Sequence, residues 1–184
     1  PMETLRPIAD WLAGHPIEGL GIATFGPLDL KTGRTRDTPK PGWSGVDIVS
    51  GLISGFDTPP PTTINTDVNG AGVAEWRWGA ATDADVCVYL TVGTGVGGGL
   101  IVAGRPVHGE GHPEMGHVTV ERHPDDSAVS VCRYHAACLE GVASGPAFAA
   151  RAGRPAEQVT DEALWDLEAH YLAAGLADIT LTTS

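Results

Sequence analysis

The sequence lacks long apolar runs and has little positive charge. No stretch of its 184 residues approaches the ~20 consecutive apolar residues that a membrane-spanning helix needs, and we recognise no signal peptide. Eleven Lys and Arg stand against 23 Asp and Glu, and the resulting net charge of −12 opposes binding to a phosphate backbone. We therefore expect a soluble, cytoplasmic protein that binds neither membranes nor nucleic acid.

Cysteine is also scarce. The three cysteines are Cys87, Cys132 and Cys138, and an odd number cannot pair completely, which argues against a disulfide framework and a secreted protein. Two of them form the pattern Cys132-x-x-His135-x-x-Cys138, with His117 upstream. Thiolates and imidazoles in a set of four are typical of a structural zinc site. The alternative is that these are small buried cysteines and scattered surface histidines.

Short apolar runs alternate with helical periodicity along the chain. The pattern predicts strands at 19–25, 62–66 and 86–92, helices at 3–13, 68–81 and 160–182, and one or two helical turns within 46–53. Strands that alternate with helices indicate an α/β fold.

A glycine-rich segment, Gly93-Thr-Gly-Val-Gly-Gly-Gly99, follows the strand 86–92. It satisfies the G-x-G-x-x-G fingerprint of dinucleotide-binding proteins, in which the last glycine opens a helix. Here the β-prone residues 100–106 follow instead, so we predict a hairpin of strand, glycine turn and strand. Its backbone amides can cradle a phosphate, or it is an ordinary hairpin turn.

Three acidic residues are candidates for binding or catalysis. Asp67 stands where the strand 62–66 meets a helix, so its carboxylate can take a proton from a hydroxyl, cap the helix, or do both. Glu114 and Glu140 flank the cysteine and histidine pattern. Carboxylates so placed can bind the hydroxyls of a polyol, or they are simply solvated.

Taken together, these motifs resemble the ROK family of sugar kinases and related repressors. The resemblance rests on the glycine segment 93–99, on Glu114-Met-Gly-His117, on the cysteine and histidine pattern, and on Thr66-Asp-Val-Asn69. Four further segments resemble the bacterial fructokinase branch: Thr38-Pro-Lys-Pro-Gly-Trp43, His112-Pro-Glu-Met-Gly-His117, Arg122-His-Pro-Asp-Asp126 and Leu139-Glu-Gly-Val-Ala-Ser-Gly-Pro146.

The resemblance implies an α/β, actin-like ATPase (RNase H-like) fold with two lobes, to which residues 1–83 and 84–184 contribute. It implies phosphorylation of a hexose by ATP with Mg²⁺, foremost fructose to fructose 6-phosphate, in a homodimer. Asp67 would be the general base; Thr66, Glu114, His117 and Glu140 would bind the sugar; Gly93, Thr94, Gly95 and Gly97 would meet the ATP phosphates. His117, Cys132, His135 and Cys138 would hold a structural zinc ion.

The sequence departs from the family pattern in several places. Thr66 stands where many members have asparagine, and Cys132-x-x-His135 replaces a Cys-x-Cys knuckle. The family's first phosphate motif, Asp-x-Gly-Gly-Thr, has no counterpart before Gly19, and its adenine-binding segment is expected beyond Ser184. We therefore expect part of each lobe and of the ATP site to lie outside this sequence.

Two other functions fit the same residues. A sugar-sensing repressor of this family would share the sugar and zinc residues but would carry a basic helix-turn-helix ahead of them. A zinc-stabilised sugar-binding module without catalysis would use Asp67 only as a helix cap.

Overall fold

The computed structural model describes residues 1–38 and 40–183, so Pro39 of the Thr38–Trp43 motif lies outside the described residues. The helices are α1 (Met2–Ala13), α2 (Ile48–Ile53), α3 (Asp67–Trp78), α4 (Leu139–Ala143), α5 (Gly145–Ala152) and α6 (Glu162–Thr183). The strands are β1 (Leu20–Thr24), β2 (Leu28–Asp29), β3 (Arg34–Thr35), β4 (Thr62–Thr66), β5 (Val86–Val92), β6 (Val96–Val102) and β7 (Arg105–Pro106). Short 3₁₀ helices span Met115–His117 and Ala156–Gln158.

The first half of the chain is built on a parallel pair of strands. β1 pairs with β4 so that Leu20 lies opposite Thr62 and Thr24 opposite Thr66. Both strands therefore end at the same edge, and α3 begins there. A buried apolar cluster lies beside this pair and is formed by Leu5, Leu28, Ile48 and Leu52.

The second half contains an antiparallel sheet in the order β5-β6-β7. Val92 pairs with Val96, so only residues 93–95 form the turn of the predicted hairpin. The other glycines of the segment lie within β6, where close packing requires them. A methyl group at Gly99 would lie 2.7 Å from the Val68 carbonyl oxygen of α3, and one at Gly98 would lie 2.6 Å from the Met115 sulfur.

Helices α4, α5 and α6 complete the second half. The sequence did not predict α4 and α5, because they are short and their apolar residues show no long helical period. They begin at side-chain caps instead: Cys138 Sγ accepts from the Gly141 amide and Ser144 Oγ from the Ala147 amide. The apolar residues of α4 belong to a buried cluster of Val96, Val120, Leu139, Val142, Ala143 and Tyr171.

The main predicted elements agree with the structure. β4 and β5 have the predicted bounds, and mixed α/β structure is confirmed, but α3 ends at Trp78 rather than near residue 81. None of the helices in the described part of the chain combines the length and the apolar composition that a membrane-spanning helix needs.

Candidate functional site

A cleft of about 770 Å³ opens where the start of α3, the turn of the β5–β6 hairpin and the segment 112–117 meet. Its lining includes all residues predicted to act as base, to bind sugar or to bind phosphate: Asp67, Thr66, Glu114, His117, Glu140, Gly93, Thr94, Gly95 and Gly97. Positions up to 74 residues apart in the sequence, from Thr66 to Glu140, therefore share one cavity.

Asp67 is the first residue of α3 and is exposed to the cleft. Thr66 is the helix cap, because its hydroxyl oxygen accepts a hydrogen bond from the Asn69 amide at 3.3 Å. The Asp67 carboxylate accepts only from the amide of its neighbour Val68, at 2.9 Å, among the described residues. The N-cap position of α3 is therefore held by Thr66 and not by Asp67.

The hairpin turn presents free backbone donors to the cleft. The Gly93 amide is occupied, since it donates to the Gly95 carbonyl at 2.8 Å, and the Gly93 carbonyl accepts from the Gly145 amide of α5 at 2.8 Å. Within the described ranges, the amides of Thr94 and Gly95 donate no hydrogen bond. An anion can therefore accept hydrogen bonds from the amides of Thr94 and Gly95, whereas Gly97 lies within β6.

Two carboxylates line the same cleft. Glu114 directly precedes the 3₁₀ helix 115–117, and Glu140 lies in the first turn of α4. Burial raises the pKa of Glu114; the nearby His117 opposes this shift and the charge of Glu140 adds to it. The Glu140 carboxylate accepts a hydrogen bond from the Val96 amide at 3.1 Å, which fixes it beside the hairpin.

The predicted zinc ligands converge on one point. The donor atoms of His117, Cys132, His135 and Cys138 all lie within 4.8 Å of one another. The Cys132 sulfur is 3.6 Å from His135 Nδ1, and the Cys138 sulfur is 3.6 Å from His117 Nδ1. Ligands about 2.3 Å (S) and 2.0 Å (N) from a tetrahedral zinc ion are themselves about 3.6 Å apart, so this donor set fits zinc.

Buried charges hold the loop that carries these ligands. The Asp126 carboxylate accepts from the Tyr171 hydroxyl at 2.8 Å and lies 3.4 Å from the Arg151 guanidinium. The side chains of Arg151 and Asp126 are only 6% and 2% exposed. Arg151 also pairs with Glu168 of α6 at 3.1 Å. Sequence reasoning assigned no role to these residues, because their partners lie far away along the chain.

The cleft also has a wall that the sequence did not predict. Phe25, Gly26, Pro27 and Asp37 line it, and His112 of the segment 112–117 meets it beside Gly26. Residues 25–27 directly follow β1, which is parallel to β4. Because the ends of parallel strands share an edge where ligands commonly bind, the position of Phe25-Gly-Pro27 after a predicted strand was a usable signal.

Comparison with known proteins places these features in context. Residues 8–183 match the ROK family model. The chain is similar to the fructokinase of Pediococcus pentosaceus, at 38% identity over 98% of this chain and 64% of the relative. Among solved structures it resembles the ROK hexokinase of Thermus thermophilus, with a TM-score of 0.75 and 29% identity over 96% of this chain and 66% of the other. It also resembles a ROK family glucokinase from Streptomyces griseus in complex with glucose and AMPPNP, with a TM-score of 0.70 and 25% identity over 97% of this chain and 69% of the other. The chain thus spans less than two thirds of the length of the fructokinase it matches.

Proposed function

The chain belongs to the ROK family and has the actin-like ATPase fold of its solved relatives, and we propose that the protein phosphorylates a hexose with ATP, fructose foremost. One observation carries this proposal. A single cleft combines a carboxylate at the start of a helix, two free backbone amides and a group of residues suited to hydroxyls. The fructokinase at 38% identity supports the choice of fructose.

The chemistry assigned to the cleft is proton removal and phosphoryl transfer. Asp67 takes the proton of the sugar's 6-hydroxyl as that oxygen bonds to the γ-phosphorus of ATP. The bond from the γ-phosphorus to the bridging oxygen breaks, and ADP leaves with the electron pair. Phosphoryl transfer depends mainly on positioning and on neutralisation of charge. The amides of Thr94 and Gly95 supply donors to the phosphates, and Mg²⁺ arrives with ATP.

The remaining polar residues of the cleft would orient the sugar. Glu114 and Glu140 accept hydrogen bonds from hydroxyls, and the Thr66 hydroxyl, whose oxygen accepts from the Asn69 amide, can donate its proton to a sugar oxygen. His117 Nδ1 faces the cysteine sulfurs, so its Nε2 is the ring nitrogen available to a sugar hydroxyl.

Zinc would be held by His117, Cys132, His135 and Cys138 and would act as a structural cross-link outside the chemistry. The cross-link would fix residues that line the cleft. His117 is both a ligand and a lining residue, and Cys138 caps the helix that carries Glu140. A zinc ion that fixes His117 and Cys138 would therefore also fix the side chains of His117 and Glu140 in the cleft.

The division into two lobes is part of the same proposal. Residues 1–83 contain the sheet β1-β4 and residues 84–184 contain the sheet β5-β6-β7. Helix α3 packs on β5 and β6 as well as on β1 and β4, so Asp67 lies where the two parts meet. A homodimer remains a prediction from the resemblance, and a cytoplasmic location remains a prediction from the composition of the sequence.

A coupled assay of ADP release on the intact protein, with fructose, glucose and mannose in turn, tests the proposal. We expect hexose-dependent turnover that requires Mg²⁺, with the highest kcat/KM for fructose. Hexose binding without turnover would instead support a sensor or a binding module. Turnover with another hexose would retain the kinase and overturn only the assignment of fructose.

A further inference from the structure

One histidine joins the two walls of the cleft. His112 Nε2 lies 3.0 Å from the backbone nitrogen of Leu28 and 3.2 Å from its carbonyl oxygen, although the two residues are 84 positions apart. Leu28 begins β2 and is buried in the apolar cluster of the first half. His112 belongs to the segment that leads to Glu114. A backbone position in one wall is thus held by a side chain of the other.

The hydrogen bonds indicate which nitrogen of His112 carries the proton. The Leu28 N–H can only donate, so the shorter contact, at 3.0 Å, requires a lone pair on Nε2 and places the proton of a neutral ring on Nδ1; the contact with the carbonyl oxygen at 3.2 Å becomes a hydrogen bond only when Nε2 carries a proton. Nδ1 lies 3.1 Å from Nδ1 of His108, which can accept it. Burial, together with His108, lowers the pKa of His112, and the contact with the Leu28 carbonyl oxygen, which favours a protonated ring, only partly opposes this. The neutral ring therefore has a partner at both nitrogens.

The same ring packs at the base of the cleft. A methyl group at Gly26 would lie 3.5 Å from His112 Cδ2 and 3.5 Å from Thr66 Cγ2. Gly26 is therefore close to both the imidazole of His112 and the methyl group of Thr66. Thr66 caps the helix on which Asp67 is the first residue. Through Gly26, the ring therefore approaches the residue that caps the helix of Asp67.

We propose that His112 is a positioning residue that sets the distance between Asp67 and Glu114 by fastening the Leu28 backbone across the cleft. The proposal rests on the proposed function, since it assigns Asp67 to the attacking hydroxyl and Glu114 to another hydroxyl of the same sugar. Both residues must contact one hexose, so a change in the spacing of the walls misplaces one of them. A change in this spacing should affect the predicted phosphate-binding turn less, because hydrogen bonds to Gly145 and Glu140 hold the hairpin in place.

Three variants of the intact protein test the proposal. His112→Leu keeps much of the side-chain volume but removes both ring nitrogens. His112→Gln places an amide oxygen near the position of Nε2, where it can accept from the Leu28 N–H. His15→Leu is the matched control, because His15 is exposed at the end of α1 and its ring contacts the Trp11 carbonyl oxygen. The readouts are calorimetric Kd for fructose, KM for ATP, kcat, and hydrogen exchange of the Leu28 amide in protein without sugar.

We expect His112→Leu to raise the fructose Kd by about tenfold or more and to lower kcat, since misplacement by about 1 Å can cost two orders of magnitude. The KM for ATP should change by less than about twofold, because the substitution alters the sugar site and leaves the ATP site in place. The Leu28 amide should exchange faster, and His112→Gln should recover most of both losses. A general loss of folding would instead weaken the binding of both fructose and ATP, and His112→Gln would not restore it.

The proposal is overturned if His112→Leu leaves fructose Kd and Leu28 exchange at wild-type values, or if glutamine is as damaging as leucine. Different results would overturn the kinase assignment and the role of His112. Absence of turnover by the wild-type protein with every hexose would overturn the kinase assignment. The exchange rate of the Leu28 amide would still decide whether His112 fastens the two walls, because it requires no substrate.

Discussion

The carboxylate of Glu140 accepts a hydrogen bond from the Val96 amide at 3.1 Å. This contact joins the helix that follows the last predicted zinc ligand to the strand that follows the predicted phosphate-binding turn. It is tight, since a methyl group at Gly95 would lie 2.6 Å from the same carboxylate oxygen. The proposed sugar and phosphate regions are thus in direct contact, and the predictions below take that into account.

We expect Asp67→Asn to lower kcat by about 10²–10⁴-fold, the usual cost of losing a general base. The fold and the fructose Kd should be nearly unchanged, because Thr66 rather than Asp67 caps α3. Steady-state kinetics and calorimetry measure both quantities. Asp10→Asn, on the exposed face of α1, is the control. Normal turnover of the Asp67→Asn variant would exclude Asp67 as the general base.

The intact protein should carry one zinc ion per chain, and Cys138→Ser should release it. Serine can still cap α4, so the variant separates metal binding from helix capping. Because binding energy at a structural zinc site is also folding energy, residues 112–140 should loosen and the melting temperature should fall. Mass spectrometry of the native protein measures occupancy. Cys87→Ser, on β5, should keep full occupancy; a metal-free wild-type protein would exclude the site.

Removal of zinc by a chelator should weaken fructose binding more than ATP binding. Glu114, His117 and Glu140 lie next to or within the ligand set, whereas Thr94 and Gly95 are held by the hairpin. The contact between Glu140 and Val96 predicts a smaller loss on the ATP side as well. Calorimetric titration before and after chelation tests this order. Equal losses would indicate global unfolding, and an unchanged fructose Kd would separate the zinc loop from the site.

Asp126→Asn should destabilise the protein by about 2–3 kcal/mol at neutral pH, since it removes a buried charge from beside Arg151. Asp125→Asn is the matched control, because the Asp125 side chain is 90% exposed and its loss should change stability little. Thermal or denaturant unfolding of both variants measures the difference.

The same variant should show a distinct pH dependence. Burial alone would raise the pKa of Asp126, but the Ala128 amide, the Tyr171 hydroxyl and the Arg151 charge hold it below its ordinary value. The unfolded chain then takes up the proton first as the pH falls. The stabilisation is therefore present above the ordinary aspartate pKa of about 3.9 and is lost as the pH falls through the lower value of the folded state. The gap between wild type and Asp126→Asn should close over that window; a constant gap would contradict the assignment.

Local patterns in the sequence determined the elements whose signal is local. The strands 62–66 and 86–92 were predicted with their bounds, since a short β-prone apolar run needs no distant partner to be recognised. The spacing of Cys132, His135 and Cys138 predicted, for the same reason, three of the four donors that lie together in the structure. The motifs that resemble the ROK family added the fold and the set of residues that share the cleft.

Tertiary structure decided how those residues are used. Only packing shows that Thr66 rather than Asp67 caps α3, that Gly98 and Gly99 serve close contacts, and that Thr94 and Gly95 keep the free amides. The contacts of His112 with Leu28 and of Arg151 with Asp126 were also beyond the sequence. Each depends on positions brought together by the fold, and neither helical nor strand periodicity encodes which distant partner a polar side chain will meet.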